Sequence, residues 1–191
     1  PDVSFIKLDT QGSELDILSG GIRVLNGCLG CDVEVEFSPI YKGQPLFHEV
    51  DLFLKEQGFV FWRFDNLCHF AEEPGSRIQR KDKVHYDGRL LPRVAGSGRL
   101  FWGNAIFFRD YKTLLGEGGA VRKLLTLAAL MEGAGELDGA RACLLQLMKI
   151  PSPDITPMMR ERLQMKIDLL SPSFCYVVAK SIYKRFFRRE I

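Results

Sequence analysis

The chain has 191 residues, 26 basic and 24 acidic side chains for a net charge of +2, and is 46% apolar and 26% charged. Such a balance excludes a disordered chain, whose few apolar groups could not offset the ordering entropy, and the length suits one ordinary domain or one domain with an appendage. The longest uncharged stretch, residues 169–179, contains Pro172 and falls short of the roughly 18 apolar residues of a bilayer crossing, and no basic-then-apolar leader opens the chain, so a cytoplasmic protein without a transmembrane segment is expected.

Ser4-Phe5-Ile6-Lys7-Leu8 predicts a short buried strand that ends in the polar turn Asp9-Thr10-Gln11-Gly12. Ser13, with Asp16 three residues on, is placed to cap a helix in which Leu15, Leu18, Ile22 and Leu25 recur at helical spacing. Gly20-Gly21 weakens that helix and Asn26-Gly27 ends it. Residues 31–37 alternate strictly between apolar and acidic side chains, predicting a second strand closed by Ser38-Pro39. Pro45 suits a first helical position ahead of the stripe Leu46, Phe47, Val50, Phe53 and Leu54, which stops at Gly58. Residues 59–64 and 100–109 read as aromatic strands. Alternating strands and helices imply an α/β fold with parallel pairing and right-handed crossovers, while the last two strands lack an intervening helix and are candidates for antiparallel pairing.

Residues 65–99 exceed a structural turn and hold Arg77, Arg80, Lys81, Lys83, Arg89 and Arg93 against Asp82 and Asp87. Two readings are open: a lid or recognition loop for a polar or anionic acceptor, folded over the strand ends, or a disordered insertion. From Tyr111 the composition turns helical. Residues 123–131 and 137–150 predict a helical hairpin whose Gly135, Leu137, Ala140, Leu144 and Leu147 spacing matches part of a tetratricopeptide-like unit. Residues 156–170 and 174–189 complete a small helical appendage. In the tail, residues 180–191, five basic side chains against Glu190 give a local charge of +4. That tail reads as a solvated helix end or as a contact for anionic lipid or nucleic acid.

Cysteines stand at 28, 31, 68, 143 and 175, an odd and scattered set that points to a reducing compartment. The Cys28–Cys31 pair, with Cys68 beside His69, admits a zinc or redox site, or two small apolar side chains in a core; spacing favours the core, and no metal is expected.

Set the first two strands side by side. Phe5, Lys7 and Asp9 then share one face, as do Asp32, Glu34 and Glu36. If these faces coincide, Lys7 meets Glu34 inside the sheet, as a buried pair, and Asp9 meets Glu36 at its rim. Paired carboxylates at the carboxyl edge of a parallel sheet can bind a cation, take a hydroxyl proton, or share a proton. Gln11 and Glu14 lie beside them. The other reading is that Asp9 caps its own turn and Glu36 is solvated. His48, His69 and His85 carry weaker claims, and no Ser/His/Asp set, phosphate loop or paired metal motif is present.

Residues 5–20, from Phe5-Ile6-Lys7-Leu8-Asp9-Thr10-Gln11-Gly12-Ser13-Glu14-Leu15-Asp16 to Gly20, resemble the signature segment of FkbM-type S-adenosylmethionine-dependent methyltransferases. Glu34-Val35-Glu36-Phe37-Ser38-Pro39, the block from Tyr41 to Phe47, and Trp102-Gly103-Asn104-Ala105 resemble later blocks of one branch, in which an Asp is common at the place of Asn104. The resemblance spans about residues 1–110. It implies residues 1–111 as the second half of a class I methyltransferase (Rossmann-like) sheet, mostly parallel with a final antiparallel strand, and residues 112–191 as an all-α appendage. It further implies an O-methyltransferase acting on a hydroxyl of a sugar or other natural product. Asp9, Glu36 and Glu14 would be catalytic, and Asp9 and Gln11 would touch S-adenosylmethionine. The acceptor would be a hydroxyl-bearing small molecule or glycan, with no nucleic acid partner and no oligomeric state specified. In that fold most of the cofactor site lies on strands and a glycine-rich loop ahead of Asp9, which these residues do not contain, so the isolated chain is expected to be inactive. The alternative is a non-catalytic interaction module built on the helical appendage and basic tail.

Overall fold

The structure, a computed structural model, describes residues 3–72 and 82–171. Two units divide the chain, Pro1–Asp110 and Tyr111–Ile191. The first is α/β. Its strands are β1 (Phe5–Leu8), β2 (Gly30–Glu36), β3 (Phe59–Phe70), β4 (Lys83–Tyr86), β5 (Arg89–Val94) and β6 (Arg99–Arg109), with helices α1 (Glu14–Gly20), α2 (Ile22–Leu25) and α3 (Phe47–Glu56) between the first three.

These strands form one curled sheet in the order β1-β2-β6-β3-β5-β4. Only β1 and β2 pair in parallel; β2–β6, β6–β3, β3–β5 and β5–β4 are antiparallel. The sheet is therefore mixed, which corrects the expectation of a mostly parallel one. Two causes are visible. The long strand β6 inserts between β2 and β3 instead of closing an edge, and residues expected to form a loop fold into the β4–β5 hairpin. Asp87 and Gly88, both at positive φ, make its two-residue turn, the geometry that matches the twist of paired strands.

Alternation explains the layers. Cys31, Val33 and Val35 of β2 turn toward the helices and join Leu18, Leu25, Val50, Leu54, Ala105 and Phe107 in the main core. Phe37, Phe47, Phe61 and Phe64 close one end of that core, with ring centroids 4.5–5.6 Å apart. A second core, of Cys68, Phe70, Val84, Leu91 and Phe101, lies under the hairpin. The two are joined by β3, whose register shifts between Phe61 and Arg63 and again between Asp65 and His69. Bulges bend and twist the strand that carries them. Gly103 of β6 faces this bend, where a Cβ would come within 2.7 Å of the Leu67 side chain.

Several local expectations change. The predicted first helix breaks at Gly21 into α1 and α2, and Ser13 makes no side-chain cap; its hydroxyl donates to the Thr10 carbonyl. Helix α3 starts at Phe47, two residues beyond Pro45, and the Glu49 carboxylate accepts the Leu46 N–H at 2.8 Å. The aromatic strand runs on from Phe64 to Phe70. Register differs as well. Lys7 stands opposite Asp32, with Nζ 2.9 Å from Oδ2, and not opposite Glu34. With the Lys7 side chain 55% exposed and that of Asp32 21%, this pair is at the surface, not inside the sheet.

Within the second unit, α4 (Ala120–Gly133) and α5 (Leu137–Lys149) form a hairpin closed by Leu124, Leu127, Met131, Cys143, Leu144 and Leu147. Helix α6 (Pro157–Leu169) starts at the Thr156 cap, whose hydroxyl accepts from Met159 N–H. The Arg160 guanidinium donates to the Met148 and Ile150 carbonyls and ties α6 to the end of α5. The predicted 174–189 helix, the basic tail, Arg77, Arg80 and Lys81 lie outside the described residues. Among the described residues no helix is long and apolar enough to cross a membrane.

Gly30 fixes the parallel register. A Cβ there would lie 2.9 Å from the Phe5 ring and 3.0 Å from that of Phe108. Gly30→Ala is expected to lower stability by about 1–3 kcal/mol through overpacking. Gly20→Ala, where a Cβ meets nothing within 4 Å, should be neutral or gain about 0.5–1 kcal/mol. Urea unfolding of the two variants checks the contrast.

Candidate active site

The turn after β1 brings the polar residues together. Glu14, only 1% exposed, points back into it; its carboxylate accepts from Thr10 N–H at 2.6 Å, Thr10 hydroxyl at 2.9 Å and Gly12 N–H at 2.9 Å. A buried carboxylate requires such donors, and these three lock the turn. Gln11 is held at a φ of +59°, left-handed for a residue with a side chain. In that conformation its amide donates to Asp9 Oδ1 at 3.2 Å and to Glu34 Oε2 at 3.1 Å, and its Oε1 lies 3.5 Å from the Tyr41 hydroxyl. Gly12, at φ +99°, sits where a Cβ would press on Gln44 and Tyr41.

Thus Asp9 joins Glu34 through Gln11, because the register that sets Lys7 against Asp32 carries Asp9 toward Glu34 instead of Glu36. Glu36 stands one strand pair further on, opposite Trp102 of β6, and Glu34 stands opposite Asn104. Asn104 in turn donates to Asp32 Oδ1 at 2.9 Å. Gln11, Glu34, Glu36, Tyr41 and Trp102 line one side of a cavity of about 430 Å³, and strand β4 lines the other. Of the candidate residues named from the sequence, Gln11, Glu36 and His85 line this cavity. Asp9 is exposed beside it and Glu14 is buried behind it. His48 is exposed on α3, and neither it nor His69 borders the cavity.

Electrostatics separates the carboxyls. Burial pushes Glu36 up to about 7, helped by the negative charges of Glu14 and Glu34 and opposed by the Gln44 amide. Glu34 is likewise pushed up to about 7, first by burial, then by the charges of Asp9 and Glu14 and a hydrogen bond with Asp9, while Lys7 acts against the shift. Among the described residues, no group of three or more His, Cys, Asp or Glu side chains is arranged to hold a metal ion. Cys28 and Cys31 are both 0% exposed, and burial pushes the Cys31 thiol up to about 12, the condition of an inert core cysteine.

Residues 1–61 match the family described as the Methyltransferase FkbM domain. This segment is FkbM-like. No curated protein and no solved structure matches the chain. The FkbM-like segment runs from β1 to the start of β3 and holds Asp9, Gln11, Glu14, Glu34, Glu36 and Tyr41, so the acidic wall of the cavity falls inside the matched residues and points to a methyltransferase. Trp102 and the β4 wall lie outside it.

Sequence alone does not mark Glu34, Tyr41 and Trp102 as lining groups, while the β4 wall falls in the segment for which a lid or recognition loop is one of the two readings. Glu34 was visible in the alternation but assigned to Lys7 by a register two residues off. The hairpin was signalled by Asp87-Gly88 between two apolar runs.

Glu36 also makes a testable link to stability. Between about 4.5 and about 7 the unfolded chain ionises Glu36 while the folded chain keeps its proton, so this group makes stability fall as pH rises through that window. Glu36→Gln should flatten the fall and leave the protein about 1–3 kcal/mol more stable than the parent at pH 8. Urea unfolding at several pH values measures both.

Proposed function

We propose that this chain is part of an S-adenosylmethionine-dependent O-methyltransferase whose acceptor is a hydroxyl of a sugar or other natural product. The observation that carries this reading is Glu36. It is 4% exposed, borders a cavity of about 430 Å³ next to an indole ring, and has its carboxyl pushed up to about 7. A carboxyl in that range divides between acid and base near neutral pH, which is where a general base is most effective.

S-adenosylmethionine would supply an electrophilic methyl group on a cationic sulfonium. The donor set suits such a cation, because Asp9, Glu14, Glu34 and Glu36 make this end of the sheet strongly acidic. Asp9 and Gln11 would touch it, a reading supported by their position on the turn at the carboxyl end of β1, where open α/β sheets hold their ligands. Glu36 would take the proton of the acceptor hydroxyl as its oxygen gains the methyl group and the methyl C–S bond breaks, the sulfur leaving with the bonding pair as a neutral thioether. Trp102 offers a flat apolar face to a ring, while Glu34 and Gln11 offer hydrogen bonds to neighbouring hydroxyls. Glu14 positions Gln11 by holding the turn, without touching the substrate itself.

Methyl transfer from labelled S-adenosylmethionine to a panel of hydroxylated acceptors, with the full-length protein, tests the reading. Glu36→Gln should lower kcat by about 10²–10⁴-fold, the usual contribution of a positioned base. The parent kcat/KM should rise with pH through about 7, where Glu36 loses its proton, and the variant should lose that limb. Turnover by Glu36→Gln at the parental rate would remove the proposed base.

A further inference from the structure

Strand β4 forms the cavity wall opposite the carboxyls, through Lys83, Val84 and His85. Three consecutive residues of one strand border a space only when the strand presents its backbone edge to it. Hydrogen bonding agrees. Arg93 N–H donates to the Asp82 carbonyl at 2.9 Å, and Tyr86 and Arg89 flank the two-residue turn, so Asp82, Val84 and Tyr86 are the positions that bond β5. The N–H and C=O groups of Lys83 and His85 then point away from β5, and β4 pairs with no other described strand.

Charge is divided across the cavity. One wall carries Glu34 and Glu36, and the other carries the Lys83 ammonium and His85 imidazole beside the two outward N–H and two outward C=O groups of those residues. No ion pair joins Lys83 to a described residue, although Arg93 on the neighbouring strand is paired with Asp82. The Tyr86 ring, stacked under the Arg99 guanidinium at 4.6 Å, and Arg99 Nε, 3.0 Å from Ser38 Oγ, tie the hairpin to the loop after β2, so the wall is fixed in place.

Accepting the methyltransferase reading, we propose that β4 makes this cavity select an acceptor that carries an anionic group on the same small molecule as its reacting hydroxyl. The hydroxyl lies at Glu36 and the anion lies against the Lys83 ammonium and the outward N–H groups of Lys83 and His85. Glu34 and Glu36 repel an anion placed the other way round, so the two walls set the orientation as well as the class. Backbone N–H groups with a nearby ammonium bind carboxylate and phosphate alike.

Titration of the protein without any methyl donor tests this independently of turnover, with D-glucose, D-glucuronate and D-glucose 6-phosphate as probes. At least one of the two anionic probes should bind about ten-fold or more tighter than glucose, and which one does distinguishes a carboxylate from a phosphate. Lys83→Gln should remove most of that preference and Lys83→Glu should reverse it, each read as the ratio of anionic-probe affinity to glucose affinity. Lys83 is exposed, so both variants keep the fold. Equal binding of all three probes, failure of all three to bind, or a preference that survives Lys83→Glu overturns the inference. Methyl transfer that proceeds equally well to neutral acceptors would also sink it while leaving the O-methyltransferase reading intact; anion-selective binding without transfer to any hydroxyl would do the reverse.

Discussion

Strand β6 pairs with β2 on one side and with β3 on the other, and that double pairing determines which polar groups meet on the open face of the sheet. It sets Trp102 beside Glu36 and places Asn104 between Glu34 and Asp65. The same strand turns Ala105 and Phe107 into the main core and Phe101 into the core under the hairpin. Its far end is anchored by Arg109, whose guanidinium donates to the carbonyls of Leu25, Asn26, Gln57 and Cys28 and lies 4.3 Å over the Phe59 ring. Glu34, Glu36 and Trp102 are positioned by β6 or by its partner β2, whereas Lys83 and His85 reach the cavity through β5 and β3.

The first turn is held differently, by a buried carboxylate in place of a ladder. Glu14 supplies acceptors that the backbone of Thr10 and Gly12 would otherwise lack, and this keeps Gln11 in its left-handed conformation with its amide over Asp9 and Glu34. Backbone held at positive φ in a residue with a side chain persists only when its surroundings over-determine it. Here the surroundings are three hydrogen bonds to one carboxylate and the contact of Gly12 with Tyr41 and Gln44. The Gln44 side chain also accepts from Ile40 and Tyr41 N–H, so one glutamine shapes the loop that carries another wall of the cavity.

How much of this could be read in the sequence follows from the range of each signal. Alternation over residues 31–37 shows directly which side of β2 is acidic, and the apolar stripe shows which side of α3 is buried, because both periods act locally. Parallel register does not. No turn joins β1 to β2, so the offset between them is set by close contact of side chains, above all by the Phe5 ring lying where a side chain on Gly30 would stand. A two-residue shift of register, which keeps the same face of each strand, therefore moves Asp9 from Glu36 to Glu34. Trp102 was invisible as a neighbour of Glu36 for the same reason, since their contact spans 66 positions in the chain and depends on β6 entering between β2 and β3. The hairpin is the opposite case, with a local signal at Asp87-Gly88 inside a stretch whose length and charge suggested a loop.

Bends in β3 explain why the cavity has two unlike walls. The register shifts of β3 bend and twist the strand that leads to the hairpin, and Lys83, Val84 and His85 of β4 border the same cavity as Glu34 and Glu36. A fold under selection for stability alone has little reason to bury Glu36 beside two other carboxylates, because the repulsion and lost hydration are relieved only by holding a proton. The same burden is what a proton-accepting site requires: a carboxyl kept out of water, near neutrality in its ionisation, and open on one side to a cavity of about 430 Å³.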